Sequence, residues 1–333
     1  MTFIVEHSDG TVKIDDLLYG KRKIIIESNG KCFVSNKSCV TSYPIELIKK
    51  IIKVKGIKWL CDEIMRDEDP TYVQRDLNYS ILSYIDETCL NNKRILDFGC
   101  GCGASTMIIA RNFPSANIVG VELDKNMLNI AKYRAKFYAF ENIQLIVSPS
   151  GNEIPENIEC FDYILMSAVY EHLLPTERIT ILTKLWGKLN KGGILFINQT
   201  PDRRFPIETH TTGLPLINYL PDKAAHFLSC KFSQKVLADE SWNSLLRRGI
   251  RGSTISEIMK ILFDYSTSGT PILLRPKKLG IKKQSDVWYK ASRERVLQKF
   301  KGTKRDILFF IINLVLTTNI PVAPYLSLAI RKS

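Results

Sequence analysis

The chain has 333 residues, 45% of them apolar and 24% charged, and carries a net charge of +13. That length allows one large domain with insertions or two small ones, and the balance is ordinary for a soluble globular protein, with no internal repeat or low-complexity tract. The opening "MTFIVEHSDG" has no basic stretch before an apolar run, so no secretory signal is expected, and the setting is read as cytoplasmic. The cysteines (Cys32, Cys39, Cys61, Cys89, Cys100, Cys102, Cys160 and Cys230) form no CxxC pair, and free thiols are expected. Zinc through Cys32 and Cys39 lacks a second ligand pair.

Residues 1–43 mix short β-like runs such as "KIIIES" with Gly and Asn turns, which predicts a small β-rich lead-in. Residues 44–92 turn helical, first in "IELIKKIIKVKGIKWLCDEI" and then after an Asp-Pro start. Residues 93–200 alternate strand and helix signals. "RILDF" reads as a strand, Ala104–Asn112 as a helix, "ANIVGVE" as a strand and Lys125–Phe140 as a helix. "IQLIVS" and "FDYILMS" follow as strands, "ERITILTKLWGKLN" as a helix, and "KGGILFINQT" as a fifth strand entered through a Gly-Gly turn. Apolar strands in that rhythm predict a parallel sheet covered on both faces. Residues 201–250 are expected to form a helical lid insertion after strand 5, and residues 251–333 to complete the sheet.

In "RILDFGCGCGAS", Gly99, Gly101 and Gly103 stand two apart behind Asp97. A glycine turn after a first parallel strand lets backbone N–H groups and a helix N-terminus approach a ligand. The spacing alone admits a dinucleotide. Asp97 argues against one: at ~4–6 Å and an effective dielectric of ~20, each pairing of its charge with a phosphate costs roughly 3–4 kcal/mol. A ligand carrying a sulfonium and an ammonium reverses that sign.

From Lys93 to about Pro201 the chain resembles the class I S-adenosylmethionine-dependent methyltransferases. The resemblance implies an α/β, Rossmann-like sheet of seven mostly parallel strands, the last antiparallel, with helices on both faces. It implies that Asp97, Gly99, Gly101 and Gly103 line the methionine side, and that Glu122 in "IVGVELD" accepts bonds from the ribose hydroxyls with Leu123 beside it. Ser150 and Gly151 stand where the family usually has an acid facing the adenine amine, and Ser167 would lie beside the sulfonium. Tyr72 and Arg75 are candidates to close over the methionine carboxylate.

The chemistry expected is methyl transfer to a small-molecule or lipid-linked acceptor at oxygen. "FPIETHTTGLP" resembles the substrate lid of small-molecule methyltransferases, and makes His210 a candidate base with His172 and Glu171 beside it. Glu171, His172, Glu208 and His210 would be the ligands of any metal, though none is expected. The alternatives are an RNA methyltransferase, drawn by the net charge, and a catalytically silent partner protein. Lys and Arg outnumber acids by 23 to 10 after residue 200. A basic run from Arg275 meets the apolar "DILFFIINLVL", so peripheral membrane contact through 275–320 is a further expectation, and nucleic acid is not an expected partner.

Overall fold

The computed structural model describes residues 1–30, 33–233, 237, 239–298 and 323–333. The N-terminal runs form β1 (Thr2–His7), β2 (Gly10–Asp16), β3 (Arg22–Ser28) and β4 (Ser38–Thr41), an antiparallel sheet in that order. Alternation along β2 and β3 turns Val12, Ile14, Ile24 and Ile26 to one face. Helices α1 (Ile45–Lys55) and α2 (Ile57–Glu68), divided at Gly56, cover that face with Leu47, Ile48, Ile51, Leu60 and Ile64. Cys102 and Ile130 join the same apolar cluster, which fastens this small sheet to the glycine loop.

Helix α3 (Arg75–Leu82) leads into the alternating region. There β5 (Arg94–Phe98), α4 (Ala104–Asn112), β6 (Asn117–Glu122), α5 (Lys125–Phe137), β7 (Ile143–Val147), β8 (Phe161–Ser167), α6 (Pro175–Gly187) and β9 (Leu189–Pro201) follow in turn. Beyond them come α7 (Asp222–Phe232), α8 (Trp242–Arg247), α9 (Ile255–Tyr265), β10 (Pro271–Leu273), α10 (Gln284–Gln298) and β11 (Tyr325–Lys332). The large sheet has seven strands in the order β10-β11-β9-β8-β5-β6-β7. Strands β5 to β9 pair in parallel, and β11 runs antiparallel to both β9 and β10. Successive residues enter opposite cores: Leu96 and Ile164 one, Ile95 and Leu165 the other. Burial on both faces is why these strands read as unbroken apolar runs.

Several expected bounds shift: helix α6 starts earlier and ends at Gly187, so Leu189 and Asn190, expected as its end, open β9 instead. Helix α5 stops at Phe137, short of Phe140, because Ala139 turns to a φ of +54°. Strand β9 begins at Leu189, ahead of the Gly-Gly pair, and the register slips between Phe161↔Leu189 and Tyr163↔Ile194 to absorb both glycines as a bulge. Residues 201–250, the expected lid, hold α7 and α8, with a separate apolar cluster of Ile217, Ala225, Leu245 and Ile250.

Candidate active site

Strand order reverses at β5, with β6 on one side and β8 on the other. Ligands of open α/β sheets bind outside the strand C-termini at such a point. A cavity of about 830 Å³ opens there, walled by the ends of four strands: Phe98 to Cys102 after β5, Glu122 and Leu123 after β6, Ser148 after β7 and Ser167 after β8.

The glycine loop is shaped by one close approach and one left-handed turn. A Cβ at Gly103 would fall 2.6 Å from that of Ala131 on α5, so glycine lets the start of α4 meet that helix. Gly101, at φ +57°, has open space where its Cβ would stand, on the cavity side. Its N–H donates to Glu122 Oε2 at 2.8 Å, and the other oxygen of Glu122 accepts from the N–H of Asp124 at 2.9 Å. Asp124 then caps α5 through Asn126 and Met127.

Asp97 does not stand on the cavity wall. It is buried beneath the loop, where Oδ2 accepts from Ser105 Oγ and Thr106 Oγ1, both at 2.6 Å. Burial pushes its carboxyl above the usual range, against those two hydroxyls. Its observed contacts lock the first turn of α4 to the end of β5, and of the two acids that end β5 and β6 it is Glu122 that faces the cavity. Gly103 also lies behind the wall. Ser150 and Gly151 line it, with Ser150 Oγ donating to Glu153 Oε2 at 3.1 Å.

The candidate chemical residues divide. Glu171 is fully buried, and burial pushes its carboxyl up to about 8. Thr200 Oγ1 donates to its Oε2 at 3.1 Å. His172 lines the cavity with Nδ1 2.7 Å from the carbonyl of Arg247, and burial lowers its pKa, keeping the ring neutral. The His210 ring centre lies 5.6 Å from that of His172. Glu208 does not join them: its carboxylate accepts from the N–H groups of His210, Thr211 and Thr212 and shapes the lid turn. Neither Tyr72 nor Arg75 reaches the cavity wall; Tyr72 donates to Asp62 at 3.3 Å, and Arg75 to the carbonyl of Lys290 at 3.4 Å.

Part of the wall comes from residues the sequence did not single out. Lys55 of α1 and Trp59, Asp62, Glu63 and Arg66 of α2 close one side. The α2 set is spaced three, one and three apart, a single helical face that reads as solvent-exposed until α2 is docked. Glu177 of α6 and Arg247 of α8 close another side, joined by two parallel hydrogen bonds.

Residues 95–193 match the family described as a methyltransferase domain. The chain carries a class I S-adenosylmethionine-dependent methyltransferase domain. A carboxy-S-adenosyl-L-methionine synthase of Citrobacter koseri is 27% identical to this methyltransferase over 185 residues, 53% of this chain and 73% of that protein. A malonyl-acyl-carrier-protein O-methyltransferase of Halalkalibacterium halodurans is 33% identical over 138 residues, 39% of this chain. The methyltransferase spans about half of that relative, 49% of its length. The solved plantazolicin methyltransferase BamL, in complex with SAH, is 14% identical at a TM-score of 0.45, over 86% of this chain and 95% of that one. That likeness carries no argument.

Of the expected membrane contact, residues 299–322, including the apolar run, lie outside the described residues, as does Cys32. Among the described residues no helix is long and apolar enough to cross a membrane. Two basic side chains of the run are tied down: Lys278 Nζ meets Asp86 at 2.6 Å, and Lys290 Nζ donates to the carbonyl of Gly280 at 2.8 Å.

Proposed function

We propose that this methyltransferase moves the methyl group of S-adenosylmethionine to an oxygen of a small acceptor, free or carried on a lipid. The charge of the cavity wall carries the choice. Lys55, Arg66 and Arg247 are set against Asp62, Glu63, Glu122 and Glu177. A nucleic acid needs a groove of unopposed positive charge, and this wall has none to spare. The basic excess of the chain lies elsewhere, so it does not argue for RNA as acceptor.

In this reading the Gly99–Gly103 loop takes the methionine chain, with Asp97 beneath it. Glu122 and Leu123 take the ribose, Ser150 and Gly151 the adenine edge, and Ser167 stands beside the sulfonium. The acceptor oxygen attacks the methyl carbon in line, the C–S bond breaks, and its electron pair returns to sulfur, leaving a neutral thioether. Glu171, His172 and His210 mark the acceptor end and handle the proton the oxygen loses. The name of the malonyl-acyl-carrier-protein relative supports oxygen as the target.

The test supplies the purified chain with methyl-labelled cofactor and a cell extract, then fractionates the label. Label in small molecules or lipids, with S-adenosylhomocysteine as co-product, is the expected result. Label in RNA, or an altered cofactor with no methylated acceptor, would overturn the reading. With the acceptor in hand, His210→Ala should lower kcat at least ~10-fold, the lower side of what proton handling contributes, at unchanged cofactor affinity.

A further inference from the structure

We infer that Glu171, His172 and His210 hold a divalent transition-metal ion, zinc by preference, at the acceptor end of the cavity. The inference builds on the reading of these residues as the acceptor end, and it names how they act.

Three observations converge. Glu171 is fully buried, and while Thr200 engages Oε2, Oε1 has no hydrogen-bond partner. Oε1 instead stands 3.8 Å from His172 Nε2. That is too long for a hydrogen bond, and close to the spacing of two ligand atoms on one ion. Second, His172 Nδ1 lies 2.7 Å from the carbonyl of Arg247. An oxygen acceptor demands the N–H at that nitrogen, so in the neutral ring the lone pair sits on Nε2, facing Glu171. A backbone carbonyl that fixes the tautomer of an imidazole is the usual outer partner of a metal-bound histidine.

Third, His210 completes the set: one ligand atom from each of the three residues lies within 4.8 Å of the others. Tetrahedral ligands bound at ~2.0–2.2 Å stand about 3.4 Å apart, so a side-chain adjustment of little over ~1 Å brings the three onto one ion. The lid is built around them. A Cβ on Gly249 would fall 2.9 Å from His210 Cδ2 and 3.0 Å from Glu171 Cγ, so the chain covers the cluster only because that residue is glycine. The same short segment supplies the Arg247 carbonyl.

Two imidazoles and one carboxylate suit zinc, and three protein ligands leave a fourth position. His172 lines the cavity, so that position lies toward the acceptor. An acceptor hydroxyl bound there would release its proton to solvent water more readily, as metal-bound oxygen does, so the three ligands act on that proton through the ion.

The full chain, dialysed against a chelator, is titrated with Zn²⁺ by calorimetry and with Co²⁺ by absorption. Wild type should take up one equivalent, with a tetrahedral Co²⁺ spectrum lacking a thiolate charge-transfer band. Glu171→Gln and His210→Ala should weaken binding at least ~100-fold, and Thr200→Val by ~10-fold through the lost outer partner. S-adenosylhomocysteine binding should stay intact in all three, which shows that they fold. Absence of stoichiometric binding, a thiolate spectrum, or equal binding by wild type, Glu171→Gln and His210→Ala would overturn the site. Methyl transfer that persists after any of those outcomes leaves the proposed function standing without the metal.

Discussion

The guanidinium of Arg134, fully buried on α5, donates to the main-chain oxygen of Cys102 in the glycine loop at 2.8 Å. The same group donates to Glu63 of α2 twice, at 3.0 Å to its carboxylate and at 2.7 Å to its carbonyl. One side chain thus ties the cofactor loop to the helix that closes the cavity. Removing one partner of a buried pair strands the other, and typically costs about 3–5 kcal/mol. Arg134→Met should therefore lower unfolding free energy by roughly that amount in urea, against a much smaller change for Lys55→Met at the partly exposed contact with Glu63. Equal stability of the two variants would show that Arg134 does not organise the loop.

Glu122 offers the cavity a carboxylate already aligned by two backbone N–H groups, those of Gly101 and Asp124. In the proposed reading, a pair of ribose hydroxyls would meet that carboxylate as two charge-assisted donors, each worth about 1.5–3 kcal/mol. Glu122→Ala should weaken S-adenosylhomocysteine binding at least ~10-fold by calorimetry, and Glu122→Gln by less, since one acceptor oxygen remains. Unchanged affinity in both would move the ribose elsewhere.

How far the sequence reached depended on whether a signal was local. The strands were legible because two-sided burial leaves apolar runs such as "RILDF" and "FDYILMS". The glycine loop was legible because a close backbone approach tolerates little else. Asp97 was misplaced because its partners, Ser105 and Thr106, reach it only once α4 has folded back over the end of β5. Glu208 looked like a ligand beside His210, yet four donors of the lid turn take up its carboxylate. The face of α2 that walls the cavity was illegible altogether: a tryptophan among charged residues reads as solvent-facing until Arg134 docks the helix.

Asp97 makes stability depend on pH with a definite sign. Its pKa is raised by burial in the folded state above the ordinary aspartate value, and two hydroxyls oppose that rise. A group with a raised folded pKa adds stability that is fully present below its unfolded pKa and is lost as pH rises through the folded one. Denaturation midpoints of wild type should fall relative to those of Asp97→Asn as pH climbs from about 4, where unfolded aspartate begins to ionise. A difference that is flat with pH would mean the acid is no more protonated folded than unfolded.

Arg247 and Glu177 join α8, in the segment proposed as a lid, to α6 by a bidentate pair on the cavity wall, and Arg247 also donates to the carbonyl of His172 at 3.3 Å. Half of the Arg247 side chain is exposed, so its value to global stability is small and its effect lies in lid position. Lysine keeps the charge but cannot make two parallel bonds to one carboxylate. Arg247→Lys and Arg247→Ala should therefore behave alike, each raising KM for the acceptor several-fold while the thermal midpoint moves by little. Recovery of wild-type KM in the lysine variant would show that charge alone matters, and that the paired geometry does not hold the lid.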